Sequence, residues 1–595
     1  MKRSSFFSIL IAGVVVLLIG IGGYWLRSQS QLTLLQGGSQ ATPQAAMFVP
    51  KQAPVMASIL VNPDRLESLV QAVARPKERR NTRMELNQLK TSLLANSGLD
   101  YRRDIQPWLG DEISLAITSQ DIDRDASNGR QPGYLMALAT RKPERSREFL
   151  ELFFSKRAIA GTDLVSEQYK GVQLLYNNSR PFLGEKNAFE PSSTKNGGML
   201  TGAIVGDNFV LFANHPKVLK DALNNVQAPD LSLTTSSQYQ QALTLLPPQR
   251  IGVTFLNFPS RAASPELEPA QTYQTQIVAL ELNRQGLLAE TTILATPKQE
   301  VSTQAPALSQ PVKALQYIPA ATGFSISGSD LSRLENTDLN QLWTKVSAGL
   351  FSLGDAVISQ LVNQPLADFQ ARWGIDLPKD IFSWVQGEYA LGLLPRSDSS
   401  TPDWVFVAEK SDATLAGISH LDAIAQSKGL SITALTEENQ KITAWTQLAS
   451  VPNTSSDADR QSITLKAKVE GVHAEVGNYE VLTSSVEAMN EALRASEIGS
   501  LVDNPKFKAS IDTIPQPNQG YVYLDWTATQ GILERQLPIV KLLEVVGKPF
   551  FSNLRSLTIS NYGSETEFLK GGVFFQFSPQ STKTAQASTK PKSAS

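Results

Sequence analysis

The chain has 595 residues, a formal net charge of −2, no cysteine, and 41% hydrophobic against 18% charged residues. A balance so close to neutral gives no bulk attraction to phosphate backbones, so nucleic-acid binding is disfavoured. The absence of thiols excludes disulfides, thiolate catalysis, iron–sulfur ligation and the usual structural zinc sites.

Residues 1–5 form a short basic leader to residues 6–26, FFSILIAGVVVLLIGIGGYWL, a run of 21 residues without a charge. At about 1.5 Å per residue such a helix is long enough for a bilayer core, which predicts a transmembrane signal anchor. Lys2 and Arg3 precede the run and only Arg27 follows before Lys51. The positive-inside bias therefore places the N-terminus in the cytoplasm and the bulk of the chain in the periplasm or thylakoid lumen. An anchor is preferred to a cleaved signal peptide, whose apolar core spans only about 7–15 residues. Residues 27–46, rich in Gln, Gly and Ser, are expected to be a spacer.

Beyond the spacer the chain repeats itself. PPQRIGVTFLNF begins at Pro247 and PQPNQGYVYLDW at Pro515, and Gly252 recurs as Gly520, both 268 residues on. GLDYRRDIQPWLGDEISLAI from Gly98 is answered by GIDLPKDIFSWVQGEYALGL from Gly374, at a spacing of 276. Self-similarity of this kind marks a repeated structural unit. The units are expected at 47–295 and 312–577, joined by a Pro- and Gln-rich linker at 296–311 and followed by a tail at 578–595 without an apolar face.

Within each unit strands alternate with short helices. Gly133–Thr140 reads as a strand before a helix from Pro143, and Asp403 opens a strand before a helix near Ala413. VQLLY at Val172 answers ITAWT at Ile442, and each is followed by a polar stretch, Asn177 to Met199 and Ala449 to Gly471, expected as a surface loop. AIVGDNFVLFA and AEVGNYEVLTS read as hairpins. The helices after them are expected to be capped by Asn214 in the first unit, and by Ser484 with Glu487 in the second. The fold class implied is α+β: an N-terminal transmembrane helix, then two tandem homologous domains of mostly antiparallel sheet with packed helices.

Chemistry is sparse. The three histidines, His215, His420 and His473, show no helix-face pairing and there is no HExxH, so no metal site is expected. Phosphate-loop, dinucleotide and GxSxG signatures are missing too. Glu112 and Glu388, four residues after Trp108 and Trp384, are the strongest acid candidates because both units place them at a strand start. Neither has a partner carboxylate in common, since Asp111 corresponds to Gly387, and glycosidic chemistry needs a pair. Asp100, Asp104, Asp376 and Asp380 lack the oxygen density of a calcium loop and suit turn capping better. Trp108 and Trp384 suit packing of sheet against helix.

The words FFSILIAGVVVLL, YWLRSQSQLTLLQGG, AAMFVPKQAPVMASILVNPDRLESL and WLGDEISLAI resemble a family of cyanobacterial single-anchor membrane proteins, domain of unknown function 3352. The resemblance implies an envelope- or thylakoid-associated protein and carries no activity or site residue. A non-enzymatic binding or scaffold module is expected, with an envelope protein or lipid as partner, the membrane held through the N-terminal helix, and no cofactor. The alternatives are a lipid or pigment carrier with a groove in the repeats, and an envelope hydrolase using Glu112 or Glu388.

Overall fold

Alternation of apolar and polar residues, broken by Gly and Pro, fixes where the chain extends. The computed structural model describes residues 41–62, 100–125, 131–159, 163–177, 200–257, 273–282, 285–295, 308–332, 377–396, 402–437, 440–452, 463–536, 554–565 and 568–577. In the first half the strands are β1 (Val55–Ile59), β2 (Leu109–Ser119), β3 (Gly133–Thr140), β4 (Leu164–Tyr169), β5 (Val172–Asn177), β6 (Thr201–Val205), β7 (Phe209–Ala213), β8 (Gly252–Asn257), β9 (Tyr273–Leu282) and β10 (Gly286–Ala295). The second half supplies β11 (Phe324–Gly328), β12 (Tyr389–Leu394), β13 (Asp403–Glu409), β14 (Ser431–Glu437), β15 (Gln440–Pro452), β16 (Ile463–Val476), β17 (Tyr479–Thr483), β18 (Gly520–Asp525), β19 (Leu554–Glu565) and β20 (Phe568–Phe577).

All 20 strands among the described residues belong to one sheet. The first half runs β4-β5-β6-β7-β3-β2-β1-β8-β9-β10, antiparallel at every step. The second runs β14-β15-β16-β17-β13-β12-β11-β18-β19-β20, again antiparallel throughout. Registers match as well as order: Thr254 faces Val278 as Val522 faces Ile559, and Val278 faces Thr291 as Ile559 faces Val573.

The halves meet through β10 and β20, which pair antiparallel from Gly286↔Gln576 to Leu294↔Phe568. By the matching registers Glu290 is the counterpart of Gly572, and these two residues face each other at the middle of the ladder. A pseudo-twofold axis therefore passes between them.

Helices cover both faces of the sheet. On one face, α1 (Pro143–Ile159) lays Phe149, Phe153 and Phe154 against Trp108, Val210 and Phe212. Its counterpart α4 (Asp412–Ser427) lays Ile418, Leu421 and Ala425 against Trp384, Phe406 and Trp445. On the other face, α2 (Pro216–Gln227) and α3 (Ser237–Thr244) close the core around Leu211, Leu219, Tyr239 and Phe255. There α5 (Val486–Ile498) and α6 (Pro505–Ile511) do the same around Val481, Met489, Phe507 and Tyr523. Burying side chains such as these contributes roughly 1.5–3 kcal/mol each, and this is what holds the helices to the sheet.

The expected fold class is corrected in two respects. No helix among the described residues is long and apolar enough to cross a membrane, and residues 6–26, where the anchor was expected, lie outside the described residues. The sheet also does not stop between the halves, because the β10·β20 ladder satisfies edges that two separate tandem domains would leave bare.

Two local expectations change. The polar stretch after Ala449 is largely a continuation of the sheet, with Thr446 to Pro452 of β15 paired to Val469 through Ile463 of β16; residues 178–199, expected as the matching loop, lie outside the described residues. The helix caps fall one residue later than expected. His215 caps α2 by accepting from the Lys217 N–H, and Ser485 caps α5 by accepting from the Ala488 N–H. Asn214 and Ser484 are used elsewhere: they accept the backbone N–H of Tyr134 at 2.8 Å and of Trp404 at 3.0 Å, tying the helix start to the neighbouring strand.

Candidate functional site

Glu112 lies in β2 and Glu388 immediately precedes β12, and both point to the start of their own half. Both oxygens of Glu112 are engaged: Oε2 accepts from the Gln44 N–H and Oε1 from the Ala45 N–H, each at 2.9 Å, and the Ser114 hydroxyl donates to Oε1 at 2.8 Å. Gln44–Phe48 is a 3-10 turn whose first N–H groups have no partner within the turn. Glu388 meets the corresponding turn, Lys313–Tyr317, by accepting from the Lys313 N–H at 2.7 Å, while the Tyr479 hydroxyl donates to the same Oε2 at 2.9 Å. A carboxylate that accepts backbone N–H groups at a helical start serves as a cap and a dipole partner. That is the work the geometry assigns to both acids.

The tryptophans act as paired anchors. Trp108 Nε1–H donates to the Asp104 carbonyl at 2.7 Å and Trp384 Nε1–H to the Asp380 carbonyl at 2.6 Å. Trp108 lies 5.1 Å from the Phe149 ring, and both indoles are buried, which leaves no open face for stacking on a ligand. Asp100 caps the short helical turn that follows by accepting from the Arg103 N–H at 2.9 Å, and Asp104 accepts from the Asp100 N–H at 2.8 Å. The Arg103 guanidinium against Asp104 holds that carboxyl below the usual range, outweighing partial burial. Asp380 meets His420 Nε2 at 3.3 Å, and Asp376 lies outside the described residues. No group of three or more His, Asp or Glu side chains among the described residues is placed to hold a metal ion.

His473 is the most enclosed histidine. Its Nε2 lies 3.2 Å from Asp422 Oδ1, the oxygen that also accepts from Trp445 Nε1–H at 2.7 Å. Burial pushes its pKa below the ordinary value despite the neighbouring carboxylate. The first half has nothing to match: Gly202 faces Leu175 as His473 faces Thr443, and a Cβ at Gly202 would stand 2.7 Å from the Phe154 ring.

A half-buried polar cluster on the β10·β20 seam, unmarked by any motif, is the densest constellation of titratable groups at the join among the described residues. Tyr562 sits in a bulge of β19, where the register shifts between Asn561 and Gly563, and a bulge re-aims the inserted side chain. Its hydroxyl crosses Gly572 to donate to Glu290 Oε2 at 2.9 Å. Gly572 leaves the space for it, since a Cβ there would meet the Tyr562 oxygen at 2.8 Å. Lys570 Nζ donates to the Leu245 carbonyl at 2.7 Å and lies 3.8 Å from Glu290 Oε1. Glu281 stands diagonally across β9, one step from the residue opposite Glu290 on the same face. Burial, then the charge of Glu290, raises Glu281 to about 7, with Lys570 acting in the opposite sense. Burial and the two acids push the Tyr562 hydroxyl up as well. The one signal in the sequence is a lone acid within GLLAETTILA, an otherwise uncharged strand.

No curated protein sequence matches the chain. Among solved structures, crystal forms I, IV and III of TP0453 are similar to it at 10%, 9% and 10% identity, with TM-scores of 0.24, 0.22 and 0.22. They cover 44%, 44% and 45% of this chain and 82%, 84% and 83% of their own. Scores of that size carry no argument. Residues 9–577 match the family described as "Protein of unknown function (DUF3352)", so this chain is a member of the DUF3352 family.

Proposed function

We propose that the protein is a non-enzymatic binding module of a cyanobacterial envelope or thylakoid system, with the sheet held outside the cytoplasm and a protein as its partner. One observation carries this: Glu112 gives both oxygens, and Glu388 its Oε2, to backbone N–H groups in equivalent places. Chemistry at either would require breaking the cap. What is left for a partner is the sheet's periphery. Among the described residues no strand pairs with the outer side of β4 or of β14, so the sheet ends in two edges of the kind that accept an added extended segment. β14 is the more accessible, exposed along most of its length, with Leu435 40% exposed.

The test is co-purification from detergent-solubilised membranes at native abundance. Wild-type protein is expected to retain a protein partner and Leu435→Lys to lose it, because a lysine on an edge opposes strand addition. Glu112→Gln with Glu388→Gln is expected to keep it. Recovery of the wild type alone, or loss of a catalytic activity in the double variant, would overturn the proposal.

A further inference from the structure

The join between the halves has an unusual content. Elsewhere in β9 and β10 the residues carry no charge, yet beside the pseudo-twofold axis two carboxylates, Glu281 and Glu290, share one face with Tyr562 and Lys570. Glu290 is 9% exposed. The groups facing Glu281 from the packed strands are Glu290 on β10, Tyr562 on β19 and Lys570 on β20, while the end of α3 offers only the Leu245 carbonyl. One ammonium against two acids balances a single negative charge. A second charge on half-buried Glu281, beside the buried Glu290, is costly unless water reaches it.

We propose that this cluster is a proton-operated latch: with Glu281 protonated the β10·β20 ladder holds the two halves as one sheet, and ionisation of Glu281 favours opening of that ladder. The sign follows from the geometry. Glu281 is raised to about 7 in the closed sheet by burial and by Glu290, whereas an opened seam hydrates it and returns it toward the ordinary carboxylate range. The closed form therefore binds the extra proton, and the stabilisation that proton gives fades as pH rises through about 7. The device is independent of which partner, if any, occupies the outer edges.

Hydrogen exchange on the full chain tests it. After correction for intrinsic exchange, the opening constant of the β10 and β20 amides is expected to rise up to about tenfold between pH 6 and pH 8, with that of β1·β8 unchanged. Glu281→Gln keeps the shape and removes the titration, so its seam should open to the same extent at both pH values. Lys570→Met removes the opposing charge and should move the wild-type midpoint to higher pH. A wild-type change below about twofold, a Glu281→Gln seam that still follows pH, or a Lys570→Met midpoint that does not rise would each overturn the latch.

Discussion

Glu112 and Glu388 perform one task in two places, each closing the first 3-10 turn of its half from a strand that lies far along the chain. Removing such an acceptor strands buried N–H donors. Glu112→Ala should therefore destabilise the protein by about 2 kcal/mol, and Glu112→Gln by less, since an amide oxygen still accepts. The shift in urea midpoint measures both. If neither variant moves it, the capping role fails.

Gly417 in α4 offers a test in which two effects compete. Alanine is favoured over glycine in a helix interior by about 1 kcal/mol, but a Cβ at Gly417 would stand 2.5 Å from the Trp384 ring. Overpacking of that kind costs about 1–3 kcal/mol. Gly417→Ala should thus lower thermal stability in the wild type and raise it in a Trp384→Leu background. The same sign in both backgrounds would show that the indole is not what fixes this glycine.

Acid stability should depend on Asp403. Burial acts to raise this carboxyl, but hydrogen bonds from Ser484 at 2.7 Å and Arg396 at 2.7 Å prevail and hold it below its ordinary value. A depressed carboxyl contributes stability above about pH 4 and loses it as pH falls below. Arg396→Met should flatten that acid limb while also releasing Glu491, which Arg396 binds at 2.5 Å. Unfolding followed from pH 5 to pH 2 reads the slope, and an unchanged slope would refute the assignment.

Tyr562→Phe should cost about 1.5–3 kcal/mol, because the ring fits while Glu290 Oε2 loses its donor. A variant as stable as the wild type would show that the Tyr562–Glu290 bond adds nothing to the seam.

Several features of this fold were legible in single residues. Gly520 was legible as a glycine the fold requires: it has φ of +117°, and a Cβ there would run into the Ser327 carbonyl. The strand at Gly133–Thr140 shows its bounds directly, since it is an uncharged run between Pro132 and the Arg141–Lys142 pair. The caps shifted by one residue because Asn214 and Ser484 are good capping types that an adjacent strand's N–H had already engaged. The join was illegible for another reason. GLLAETTILA is buried on both faces, which says that neighbours exist and not which ones. Its partner strand begins at Phe568, far along the sequence, and no local pattern encodes such a register. The seam cluster went unseen with it, as Glu290 gains meaning only opposite Gly572.

The axis between Glu290 and Gly572 also bears on assembly. A polypeptide with only one of the two halves would have to meet another molecule to complete the central ladder, at a rate set by its concentration. Carrying both on one backbone makes that encounter intramolecular, at an effective concentration in the millimolar range or above. Dilution, which dissociates a dimer, leaves this sheet whole.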